Sequence, residues 1–86
     1  MGILQDKQNI LKGIANKAVE GARYAKNMHD VLAQLASEVN TQLAGSATGE
    51  RAAFILNDAA SELNDVASAL REAESKMATY SNRLAS

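Results

Sequence analysis

A catalytic reading of this chain would have to begin at His29, its one histidine, with Asp30 beside it. An imidazole can take a proton near neutral pH, and a carboxylate can orient it. The pair lacks a nucleophile, because there is no cysteine and no serine is placed to work with His29. Glu72 and Glu74 cannot share a site on a helix, since residues two apart point in different directions. The glycines of the stretch Gly45-Ser46-Ala47-Thr48-Gly49 lack the lysine and the spacing of a phosphate-binding loop. One histidine and no cysteine leave neither a thiolate nor a histidine-rich metal site. The expectation is a non-enzymatic protein with no catalytic residues, no cofactor and no metal.

The elements that would position these residues are helices. There are seventeen alanines, no proline and only three aromatics, Tyr24, Phe54 and Tyr80. That composition favours helix throughout. Turn-forming residues concentrate at Gly45–Gly49, where a glycine can end one helix in left-handed geometry and Ser46 or Thr48 can cap the next. Glu50 then falls in a first turn, where the helix dipole favours an acid. The spacing predicts a helix over about 4–44, a turn over about 45–49 and a helix over about 50–84, in one domain spanning 1–86.

The apolar residues follow a heptad, labelled a to g. In the first segment the a positions are Leu4, Leu11, Ala18, Ala25, Leu32 and Val39. The d positions are Ile14, Gly21, Met28 and Leu35, with Gln42 polar, and e adds Ala15, Ala22, Ala36 and Leu43. The second segment places Leu56, Leu63, Leu70, Met77 and Leu84 at a, and Ala52, Ala59, Val66, Ala73 and Tyr80 at d. Ala53, Ala60 and Ala67 occupy e, and polar Ser61, Ser68, Ser75 and Asn82 occupy f. A short loop sets the two helices antiparallel. The fold class is therefore all-α, an antiparallel two-helix hairpin.

A stripe covering three positions in seven is wider than one partner helix covers, and it suits a bundle of three or four. The hairpin is expected to pair with itself or with a second helical hairpin, giving a four-helix bundle. A monomeric hairpin with a partly wet alanine-rich edge is the alternative. The expected interface residues are Leu11, Ile14, Met28, Leu32, Leu35, Val39, Leu56, Leu63, Val66, Leu70 and Met77. Off the stripe, Phe54 at f and Ile55 at g follow the turn as a candidate partner contact, unless Phe54 folds back over the turn as a local cap. Ile3, Ile10, Tyr24 and Val31 lie on the g flank of the first helix.

Charge and hydropathy remove other classes. Nine Lys+Arg against ten Asp+Glu leave a formal charge of −1, with signs interspersed. A nucleic-acid binder needs a basic face, so no nucleic-acid partner is expected. No apolar run approaches a membrane span, and no membrane insertion is expected. The first residues show no charged region followed by an apolar one, so no Sec-type signal is read. Asp6 stands where a myristoylation site after Gly2 would need Ser or Thr. Lys7, Lys12, Lys17, Arg23 and Lys26 of the first helix would lie beside Glu72 and Glu74, in pairs that could guide register but add little stability.

The chain from Leu43 onward resembles the WXG family of small helical hairpins exported by type VII secretion systems. The turn Leu43-Ala44-Gly45-Ser46-Ala47 has Leu43 where that family has tryptophan, with Gly45 as its glycine. Asn57-Asp58-Ala59-Ala60-Ser61-Glu62-Leu63-Asn64-Asp65 is similar to the start of the second helix in several members, and Phe54 is a displaced counterpart of the aromatic after the turn. Tyr80-Ser81-Asn82-Arg83-Leu84 resembles a degenerate export signal, with Leu84 in its acidic position. The resemblance implies a substrate, co-substrate or adaptor of type VII secretion, acting as a homo- or heterodimer, alone or with a larger secreted effector. It implies export without a cleaved signal peptide. A cytoplasmic adaptor or chaperone-like module, or a structural subunit unrelated to that pathway, shares every physical feature above.

Overall fold

With no proline to interrupt either hydrogen-bond ladder, the chain forms two unbroken helices. The computed structural model describes residues 2–85. Helix α1 runs Ile3–Gln42, 40 residues, and α2 runs Ala47–Ala85, 39 residues. They lie against each other as a single antiparallel pair, with Cα extents of 65 × 14 × 12 Å. This is the all-α hairpin that the heptad pattern and the lone glycine-rich turn dictate.

The turn is tighter than its glycine content suggests. The Leu43 N–H donates to the Val39 carbonyl at 2.8 Å, and Gly45 takes φ 82°, which reverses the chain in the left-handed region. The Ser46 N–H then donates to the Leu43 carbonyl at 3.0 Å. Ser46 caps α2, its Oγ accepting from the Gly49 N–H at 3.2 Å while its carbonyl accepts from the Glu50 N–H at 2.9 Å. So α2 starts at Ala47, three residues before the start expected from sequence. Gly49 belongs to its first turn instead of to the loop. It is buried, and a Cβ there would stand 2.5 Å from Leu43 Cβ and 2.8 Å from the Leu43 carbonyl oxygen. Gly45 therefore supplies the backbone geometry, and Gly49 supplies the room.

The seam between the helices is made of alanine. Among the described residues the buried hydrophobic ones are Ala18, Ala22, Ala25, Ala36, Ala53, Ala60 and Ala67, and no large side chain is fully buried. Leu63 and Leu70 pack, partly buried, against the central cluster of Ala22, Ala25 and Ala67. The axis of contact is thus a and e, one side of the a, d and e stripe that the sequence carries. The e-to-a and a-to-e steps are three and four residues, so the seam is still a heptad, with its phase turned toward the small residues. Alanine at e lets the backbones close in, and the larger a residues are left along the rim of the contact.

The polar groups set register at the open end. Gln8 and Ser81 occupy e positions there, and the Gln8 side-chain amide donates to the Ser81 carbonyl at 3.2 Å. The ionic register expected from sequence does not form. Among the described residues Glu72 pairs with Lys76 on its own helix at 3.5 Å, both ends exposed. Lys12, Lys17, Arg23 and Lys26 make no ion pair with Glu72 or Glu74. Side chains this exposed gain less from pairing than they lose in rotamer freedom.

Candidate interaction surface

Turning the seam to a/e has a direct consequence for the d positions. On a helix with about 100° per residue, d and g lie roughly 80° and 140° to one side of an a/e midline, while b, c and f lie to the other side or behind. Two antiparallel helices are related by a two-fold axis perpendicular to the hairpin plane, so the same flank of each seam emerges on the same face. The hairpin therefore has one face built from d and g of both helices and an opposite face built from b, c and f.

The exposed large hydrophobics gather on the first of these. Nine of the thirteen among the described residues are at d or g: Ile3, Ile10, Ile14, Tyr24, Val31 and Leu35 on α1, with Ile55, Val66 and Tyr80 on α2. The other four, Leu4, Val19, Leu43 and Phe54, are scattered. Isolated exposed apolar residues are ordinary on a soluble protein, but a run along the length of one face marks a surface for binding. The opposite face carries Asn9, Asn16, Asn27 and Gln34 on α1, and Asp58, Ser61, Asp65 and Ser68 on α2, all exposed.

The structure separates the eleven expected interface residues into two sets. Leu11, Leu32, Val39, Leu56, Leu63, Leu70 and Met77 are half-buried along the intramolecular seam. Ile14, Leu35 and Val66 are exposed on the d/g face, with Met28 half-buried at its edge. Phe54 is 71 % exposed and does not fold over the turn; Ile55 beside it belongs to the d/g face. Leu43 is partly exposed, its Cβ held against Gly49, and Tyr80 stands on the d/g face near the open end. Ile10, Tyr24 and Val31, noted from sequence only as a flank, are part of the main exposed face. Their seven-residue spacing is the signal that places them together.

The dimensions show how much surface the fold leaves uncovered. A compact protein of this mass is expected to expose about 4,900 Å², whereas the hairpin exposes 6317 Å². Its Cα radius of gyration is 19.2 Å, against about 12 Å for a compact chain of equal length. The excess, roughly 1,400 Å², exceeds the ~800 Å² per partner of a typical stable interface.

The residues with catalytic chemistry are not brought together. His29 Nδ1 lies 3.0 Å from Asp30 Oδ1, a contact between chain neighbours, and the carboxylate is open to solvent. Glu72 turns to Lys76, and Glu74 lies apart on the seam side. Among the described residues no group of three or more His, Asp or Glu is placed to hold a metal ion. The concave places are shallow open grooves along the helix pair, one of them between Leu11, Ala15, Met77 and Ser81. Among the described residues no helix is long and apolar enough to cross a membrane. Comparisons with known protein families, with curated proteins and with solved structures give no match for this chain.

Proposed function

We propose that this chain is a non-enzymatic interaction protein whose work is to pair, hairpin against hairpin, through the face formed by its d and g positions. The observation that carries this reading is the one-sided distribution of Ile10, Ile14, Tyr24, Val31, Leu35, Ile55 and Val66, all exposed along one face of an otherwise polar molecule. An alanine methyl buried in the seam contributes about 0.8 kcal/mol, whereas each fully buried isoleucine or leucine contributes about 1.5–3 kcal/mol. The exposed parts of these larger side chains therefore stabilise nothing until a second hairpin covers them.

The setting we propose is type VII secretion, with the chain as a WXG-like substrate, co-substrate or adaptor. Support comes from the resemblance around Leu43, Gly45 and the Asn57–Asp65 stretch, and from the hairpin form with its single tight turn. Under this reading Phe54, exposed near the tip, and Tyr80, near the open end, are the residues a secreted partner or the export apparatus would touch.

Two measurements test the two levels. Light scattering coupled to size exclusion, with circular dichroism over a dilution series, should show a helical species of twice the chain mass or a weakly folded monomer that gains helix with its partner. A fully helical monomer at all concentrations, with no partner increasing its stability, would refute pairing. For the setting, the chain should be found in the medium of its source cells and be lost from it when the secretion ATPase is deleted. Retention in the cell in both strains would favour a cytoplasmic adaptor.

A further inference from the structure

A partner seated on the d/g face leaves open the groove between the helices on the other side of the seam. Nearer the open end this groove lies between Leu11, Ala15, Met77 and Ser81, with Lys12 and Glu74 at its sides. It continues between Val19, Ala22 and three cations, Arg23, Lys26 and Arg71. From Gln5 to Lys26 on α1 and from Ser68 to Asn82 on α2, the b and f positions hold Lys12, Arg23, Lys26 and Arg71 and no acid. We infer that this groove, basic at its sides and apolar along its floor, is a docking site for an acidic amphipathic helix of a partner protein. The inference goes beyond pairing and does not depend on it, because the groove and the d/g face lie on opposite sides of the seam.

The four cations are not neutralised within the hairpin. Among the described residues none of their side chains makes an ion pair or a hydrogen bond. Asp30, one turn beyond Lys26, is held to His29 at 3.0 Å, and Glu72 is held to Lys76. Glu74 is the one acid among the described residues that line the groove. An arginine fork holds a carboxylate through two parallel hydrogen bonds, so an acidic occupant matches Arg23 and Arg71 in geometry as well as in charge. The floor supplies the apolar half of the match. Leu11, Ala15 and Val19 follow one another at four-residue steps, which makes one ridge of a helix surface. Val19, 38 % exposed, is an apolar residue that the d/g face does not account for. From Leu11 to Lys26 the groove runs roughly 22 Å, the length of about four helical turns. A helix suits it better than an extended segment. Both walls are helices whose backbone groups are bonded within themselves, so an extended chain would find no backbone partners there, whereas a helix satisfies its own. A nucleic acid or other broad polyanion would gain nothing from the floor. It would also meet Glu20, Asp65 and Glu72, which stand at exposed c positions beside the groove.

The probe is a labelled synthetic helix of about five turns, with Leu at alternating three- and four-residue steps and Glu on both flanks. It is titrated with the full chain at low salt and followed by fluorescence anisotropy. Arg23→Gln with Arg71→Gln should weaken binding at least ~10-fold, while circular dichroism and light scattering show helix content and oligomeric state unchanged. A peptide with Gln in place of Glu should lose affinity for the wild type to the same extent. Lys7→Gln with Lys17→Gln removes as much charge from the d/g face and should leave binding unchanged. Absence of binding to the wild type overturns the docking site. Equal loss in the two double variants overturns it as well, since only net charge would then be felt, and loss confined to the Lys7 and Lys17 variant would place the peptide on the d/g face instead. Polyglutamate or inorganic polyphosphate bound as tightly as the peptide overturns the helix as occupant. A dimeric chain that binds no peptide refutes this inference and leaves pairing intact, whereas a monomeric chain that binds through Arg23 and Arg71 does the reverse.

Discussion

Two glycine-to-alanine changes, thirty-six residues apart, should move stability in opposite directions, and the reason lies in what surrounds each Cα. At Gly49 a new Cβ meets Leu43 Cβ at 2.5 Å and the Leu43 carbonyl oxygen at 2.8 Å. Ordinary contact needs about 3.5 Å or more, so the turn must open by close to 1 Å. The oxygen is backbone, and it also accepts the Ser46 N–H at 3.0 Å, so relief would strain the bond that closes the loop. Overpacking costs about 1–3 kcal/mol, and a weakened loop bond adds about 1 kcal/mol. The gain in helix propensity, at most about 1 kcal/mol, offsets part of this. The net is a loss of about 2 kcal/mol, or a fall in Tm of about 8–16 °C for a chain of this size. At Gly13 nothing lies within 4 Å of the added methyl, and the residue is exposed on the polar face. Gly13→Ala should therefore gain about 0.5–1 kcal/mol, raising Tm by about 2–8 °C. Thermal melts followed by far-ultraviolet circular dichroism measure both, at matched protein concentration because association shifts Tm. A Gly49→Ala variant as stable as wild type would refute the close approach at the turn. A Gly13→Ala variant that lost stability would refute the placement of the polar face.

The division between seam and face predicts two different failures. Leu63→Glu puts a charge against Ala22, Ala25 and Ala67, and the hairpin itself should lose most of its helix, seen by circular dichroism, because an unpaired buried carboxylate is costly. Leu35→Glu alters a residue exposed on the d/g face; helix should persist at high concentration while light scattering shows the dimer lost. Ser46→Ala removes the oxygen that accepts the Gly49 N–H and should cost about 1 kcal/mol in urea titration, without changing oligomeric state.

Several features of this protein are fixed by local chemistry that the chain carries in its order of residues. The absence of proline and the abundance of alanine determine helix, and one glycine-rich interruption determines one reversal. The seven-residue recurrence of Leu11, Leu32, Leu56, Leu63 and Leu70 determines that each helix has an apolar side. That Glu72 and Glu74 do not face each other was legible for the same reason, since spacing along a helix settles which side chains cannot meet. What the tertiary structure decided was phase. With a, d and e all apolar, the sequence permits a seam on a/d or on a/e, and the two are about 50° apart on the helix surface. The choice rests on how closely two backbones approach, which depends on both helices at once. The alanines at e, Ala22, Ala36, Ala53, Ala60 and Ala67, win because their small size lets the helices close, and they become the buried residues. That rotation leaves Ile14, Leu35 and Val66, expected from sequence as interface residues, off the intramolecular seam and aligns them with Ile10, Tyr24 and Val31. The start of α2 was hidden for a related reason. Whether Ser46 or Thr48 caps depends on Gly49 lying against Leu43, a contact between residues on opposite sides of the turn that no local pattern encodes.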